Sequence, residues 1–156
     1  MTVRLILDVS ALLGYANTDT ALAVGELIRE VRDTDPNDHI GIPASALLTA
    51  YATTDDAGRA ALSNIITDVE LARSRQDPGQ SAFLVLPLTS TEVMESADLE
   101  VNWPGRGHAI VEALRHNAVL ATFRPCQDAS PRLDIVDLGA GWTDDDPDGW
   151  EIADHD

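Results

Sequence analysis

Five short apolar runs punctuate this chain, and helical patterns fill the intervals between them. The first, Val3 to Leu7, stops at a carboxylate, Asp8. The others are His39–Ile42, Ala82–Leu88, Ala118–Thr122 and Leu133–Leu138. Runs this short, apolar on both faces, suit strands inside a parallel sheet rather than helices. The intervals carry 3.6-residue periodicity. Val24, Leu27, Ile28 and Val31 share one face of a helix from about Thr20, capped by Asp19 or Thr20. Leu62, Ile65, Ile66 and Val69 share the inner face of a longer helix that Asp77-Pro78-Gly79 ends. Shorter helical patterns cover Ser10–Ala16 and the Leu47/Leu48/Tyr51 stretch, where Pro43 fits the first helical position. Thr89 and Glu92 have capping-box spacing ahead of Val93, Met94 and Ala97. Another helix, from about Arg106 to His116, buries Ile110, Ala113 and Leu114. Strands alternating with helices predict an α/β fold, a parallel central sheet with helices on both faces.

Composition narrows what such a fold can do. At 156 residues and 44% apolar content, the chain matches one domain with a real core. All ten basic residues are arginines, which excludes Schiff-base lysines, a P-loop lysine and the lysine of phosphotransfer receivers. A net charge of −17 argues against a basic groove for a nucleic-acid backbone, so DNA is not an expected partner. Cys126 is the lone cysteine, so neither an intrachain disulfide nor a cysteine zinc site is available. Ala82–Leu88 is far shorter than the roughly 18 residues of a membrane span, and Asp8 falls too early for a signal peptide. A cytoplasmic, membrane-free protein is the expectation. Seven acids crowd Thr143–Asp156, so residues 1–140 are read as the folded domain and 141–156 as a flexible acidic tail.

In an open parallel sheet, ligands bind beyond the carboxyl ends of the strands. The groups there are Asp8 and Ser10, Pro43 to Thr49, Thr89 to Glu92, and Thr122 to Arg124. No glycine-rich phosphate turn follows the first strand, which disfavours dinucleotide binding. Leu5-Ile-Leu-Asp-Val-Ser-Ala-Leu-Leu-Gly-Tyr-Ala16 resembles the opening of a PIN domain. Ile42-Pro-Ala-Ser-Ala-Leu-Leu-Thr-Ala-Tyr51 is similar to that family's second block, and Gly107 to Thr122 resembles its later helix and strand. The agreement in order extends over about residues 3–138. The resemblance implies a three-layer α/β/α PIN-like domain related to toxin ribonucleases of the VapC type. Active members gather three or four carboxylates at the strand ends to hold Mg²⁺ or Mn²⁺, which activates water against a phosphodiester.

Residue by residue, the implied metal site is largely missing. Asp8 stands where the first acid belongs, with Ser10 as the nearby hydroxyl. Thr49 occupies the glutamate position. Gly105 or its neighbours replace an aspartate, with His108 close behind. Phe123 and Arg124 follow Thr122 where another aspartate is expected. Asp8 is thus the single retained acid, with Ser10, Thr49, His108, Thr122 and Arg124 as candidate binding residues around it. The Arg124 guanidinium is expected to approach Asp8 where a metal would sit. Two functions follow. One is a non-catalytic PIN-like module, without a cofactor, that forms a homodimer or binds another protein. The alternative is a divergent Mg²⁺- or Mn²⁺-dependent ribonuclease that rebuilds its site from Asp8 plus Glu92, Asp98 or another acid. It would hold RNA through Arg59, Arg73, Arg75, Arg106 and Arg115.

Blander readings accompany these. Asp8 also reads as a helix cap. His108, Glu112 and His116, four apart, read as surface pairs rather than metal ligands. Glu92, Glu95 and Asp98 read as a solvated face. Cys126 reads as an inert loop thiol. Trp103, Trp142 and Trp150 are either interface residues or packed against the body.

Overall fold

The first apolar run forms the central strand of the sheet. β1 (Thr2–Leu7) pairs in parallel with β2 (Asp38–Pro43) on one side and with β4 (Val119–Thr122) on the other. β3 (Phe83–Leu86) adds outside β2, and β5 (Ile135–Asp137) outside β4. The order is β3-β2-β1-β4-β5 with every pairing parallel. The computed structural model describes residues 2–139. The tail assigned to 141–156, with Trp142 and Trp150, lies outside the described residues.

Six helices cross between the strands: α1 (Val9–Ala16), α2 (Ala21–Thr34), α3 (Ala44–Thr53), α4 (Asp56–Ser74), α5 (Ser90–Asn102) and α6 (Gly107–His116). Two separate cores show how they divide. Leu5 and Leu7 of β1 face a core built with Leu12, Val24, Leu27, Leu47, Leu62 and Ile65, all from α1–α4. Val3 and Ile6 face a second core with Ala109, Ile110 and Ala113 of α6, joined by Trp103 and Leu99. The strand alternates between cores, as the period of two requires, with an irregularity between Val3 and Leu5. The architecture is therefore a three-layer α/β/α sandwich, as expected. No described helix is long and apolar enough to cross a membrane.

One local detail differs from expectation, and a second adds to it. Pro43 ends β2 and caps α3, so α3 begins one residue later than predicted. Its missing N–H costs nothing at either role. At Gly41 the chain has no room for a side chain. An added Cβ would lie 2.6 Å from Ile6 Cδ1, 2.8 Å from Val3 Cγ1 and 2.9 Å from Leu86 Cδ1. This glycine leaves space for Val3, Ile6 and Leu86, three side chains of the second core.

Candidate functional site

β1 hands directly into α1, and Asp8 sits at that junction. Its carboxyl is fully buried. Oδ1 accepts from the Ala11 N–H at 2.9 Å and from Ser10 Oγ at 2.6 Å, so Asp8 is the N-cap of α1. Ser10 gives its one proton to Asp8. Its oxygen then accepts from Thr122 Oγ1 at 3.1 Å and from the Phe123 N–H at 2.9 Å. Thr122, buried at the end of β4, also accepts from the Arg124 N–H at 2.9 Å. The strand ends of β1 and β4 are thereby tied through hydroxyls. Asp8 Oδ2 is buried and has no hydrogen-bond partner among the described residues.

The expected pair between Asp8 and Arg124 does not form. Arg124 is exposed, and its backbone alone joins the knot. The arginine nearer this end of the sheet is Arg106, the N-cap residue of α6, which donates to the Arg124 carbonyl. Its Nε is buried without a partner among the described residues. Cys126 marks the same neighbourhood. Burial pushes its thiol up, the Arg106 guanidinium pulls it down, and Asp8 pushes it up further. It is a buried thiol in the segment between β4 and β5.

The other candidate residues lie apart from Asp8. Thr49 is exposed and, with Ser45, Gly105 and His108, lines a cleft of about 310 Å³ between α3, α5 and the start of α6. Of the arginines expected to hold RNA, four are engaged locally. Arg115 pairs with Glu92 at 2.6 Å, Arg73 lies 3.7 Å from Glu70, Arg59 lies over the Tyr51 ring, and Arg106 binds the Arg124 carbonyl.

A second cluster corrects two expectations. His108 and Glu112 are not surface groups: they are 4% and 2% exposed. Glu92 is 1% exposed, whereas Glu95 and Asp98 on the same helix do face solvent. His108 Nε2 lies 3.2 Å from Glu92 Oε2 and 3.4 Å from Glu112 Oε1. Its Nδ1 meets Ser45 Oγ at 2.8 Å. Glu92 Oε1 accepts from Arg115 at 2.6 Å and from Thr89 Oγ1 at 3.0 Å, and Glu112 Oε2 lies 3.2 Å from His116 Nε2. Burial raises the Glu112 carboxyl, but the neighbouring His108 and Glu92 side chains and the charges of His108 and His116 outweigh it. The net result is about 2, well below its ordinary 4.5.

Ser45 was not singled out by sequence reasoning. As a hydroxyl in the first turn of a helix, it carries no signal until its partner's position is known. Glu112 left one. Gly107 to Leu114 is apolar on nearly every side except at His108 and Glu112, the pattern of a helix enclosed all round.

The divalent ion that the PIN resemblance implies does not fit at Asp8. Among the described residues, the group of three or more metal-competent side chains is Glu92, His108 and Glu112, which excludes Asp8. A single carboxyl, with Oδ1 taken by the helix cap and only Oδ2 left over, does not supply the several oxygen ligands that Mg²⁺ needs.

The fold is similar to that of a chain in the crystal structure of VapBC2 from Rickettsia felis bound to a DNA fragment from their promoter. The TM-score is 0.53 at 13% identity, covering 84% of this chain and 96% of that one. At that identity the likeness concerns the fold, and it agrees with the PIN-like architecture. No protein-family model and no curated protein matches the sequence.

Proposed function

We propose that this chain is a non-catalytic PIN-like module, of the toxin–antitoxin kind, kept for binding protein. The observation that carries this is the state of Asp8. Its carboxyl holds the first turn of α1, hydroxyls close the space between strand ends, and Arg106 brings a cation to that neighbourhood. Glu92, an acid from which a nuclease site could be rebuilt, is committed elsewhere, to His108 and Arg115. Asp98 is exposed on α5.

A protein partner is supported by the apolar surface flanking the Thr49 cleft. Leu88 and Val93 line the cleft itself, and Leu48 on α3 and Met94 on α5, two of the helices that bound it, are 71% and 77% exposed. Large exposed side chains grouped in this way mark interaction surfaces. The structural neighbour comes from a complex, VapBC2, which supports assembly with protein. The occupant proposed here is a second copy of the chain.

The test is nuclease assay and calorimetry on one preparation. RNA incubated with the protein and Mg²⁺ or Mn²⁺ should stay intact, and replacing Asp8 should leave the Mn²⁺ isotherm unchanged. Metal-dependent cleavage that Asp8→Asn abolishes would overturn this reading in favour of a divergent ribonuclease.

A further inference from the structure

The buried Glu92–His108–Glu112 cluster lies outside the strand-end site, and the proposed function uses only the cleft that His108 borders, not the carboxylates behind it. We infer that it is a binding site for one divalent transition-metal ion of the Zn²⁺ class, clamping α5 to α6 with three protein ligands. The three ligand atoms lie within 4.8 Å of one another.

The spacing distinguishes an ion from a hydrogen-bonded triad. Nε2 of His108 faces Glu92 Oε2 at 3.2 Å and Glu112 Oε1 at 3.4 Å. The first separation is at the upper end of the hydrogen-bond range and the second is beyond it, and neither contact has hydrogen-bond alignment. Among the described residues, His108 Nε2 and Glu92 Oε2 are buried polar atoms without a hydrogen-bond partner. Ligands about 2.0–2.2 Å from a tetrahedral ion lie about 3.3–3.6 Å from each other. The observed distances are close to such an edge.

Each ligand is also held from behind. Ser45 Oγ fixes His108 through Nδ1, leaving Nε2 directed at the carboxylates. Arg115 and Thr89 hold the other oxygen of Glu92, and His116 faces the other oxygen of Glu112. Outer partners on every ligand are how proteins orient metal-binding side chains. A dication also answers the electrostatics, since two buried carboxyls otherwise share the half-exposed Arg115, His116 and an imidazole. The donor set selects the ion. One imidazole and two carboxylates suit Zn²⁺ or Co²⁺. Mg²⁺ would need a near-octahedral oxygen shell with several waters, which three buried side chains do not provide. Water takes the fourth position.

The experiment uses the full chain stripped with a chelator and titrated with Co²⁺, with Zn²⁺ in competition. Wild type should develop the visible bands of a tetrahedral Co²⁺ centre, saturating at one equivalent and bleached by Zn²⁺. Zn²⁺ should also raise its melting temperature. His108→Asn and Glu112→Gln should lose the bands and the shift, with folding checked by circular dichroism. Ser45→Ala removes only the residue behind the ring and should weaken binding about 10- to 100-fold, so the site stays testable if the ligand variants misfold. Asp8→Asn should keep the bands. Absence of Co²⁺ bands and of a Zn²⁺ shift in wild type would overturn the assignment. So would binding that survives His108→Asn, an unaltered affinity in folded Ser45→Ala, or bands lost in Asp8→Asn.

Discussion

Replacing Asp8 in two ways separates a capping acid from a metal-binding one. In Asp8→Ala, α1 loses the acceptor for the Ala11 N–H, and loss of such a cap costs about 0.5–2 kcal/mol. The Ser10 hydroxyl also loses its 2.6 Å acceptor, a further 1–2 kcal/mol or so. The sum is about 3 kcal/mol, or a fall in melting temperature of roughly 6–12 °C for a domain of this size. Asp8→Asn keeps Oδ1 for both bonds. Its amide nitrogen takes the place of Oδ2, which has no partner, so one unsatisfied atom replaces another. That change should stay within about 1 kcal/mol of wild type. Urea unfolding followed by circular dichroism, with equal slopes for the three proteins, measures both differences. If Asp8→Asn loses as much stability as Asp8→Ala, the negative charge itself is being used, and the cap explanation fails.

Further predictions concern packing, pH and assembly. Gly41→Ala should cost about 1–3 kcal/mol in thermal unfolding, because its methyl would meet Ile6, Val3 and Leu86 inside 3 Å. The Glu112 carboxyl is held at about 2 in the folded chain against 4.5 ordinarily. A depressed acid contributes stability fully above its unfolded value, and that contribution disappears as pH falls through the folded one. The stability difference between wild type and Glu112→Gln should thus shrink in denaturant titrations as pH falls from about 4.5 towards 2. Sedimentation should show a dimer that Leu48→Glu or Met94→Glu dissociates; a monomeric wild type at high micromolar concentration would remove the interface.

The parts of this molecule legible in its sequence are those decided by local chemistry. Val3–Leu7 ending at Asp8 predicts a central strand handing into a capped helix, and β1 and α1 are that. Thr89 and Glu92 predict a capping box, and Thr89 accepts from the Glu92 N–H as expected. The same pair shows where local reading stops. Glu92 shares α5 with Glu95 and Asp98, so its charge looks solvated. Only the packing of α6 against α5 encloses Glu92 and brings His108 to it from another helix. Arg124 failed for a similar reason. Position along β4 placed it beside Asp8, yet the backbone turn after Thr122 sends its side chain outward and brings Arg106 in from α6. Pairings between distant segments depend on helix rotation, which periodicity fixes for apolar faces but not for the few polar residues caught inside them.

The central place of β1 has a consequence for how the chain must be made. Its pairing of Leu5 with Val119 joins residues at opposite ends of the described fold. Synthesis delivers the N-terminus first, so β1 and β2 can pair early, while the far flank of β1 waits for β4 to leave the ribosome. Until then an apolar strand is an open edge, available to any other strand it meets. Parallel pairing at such sequence separation also makes ring closure slow relative to local helix formation. The Ser10–Thr122 contact is therefore among the last to form, so the geometry around Asp8 reports that folding has finished rather than directing it.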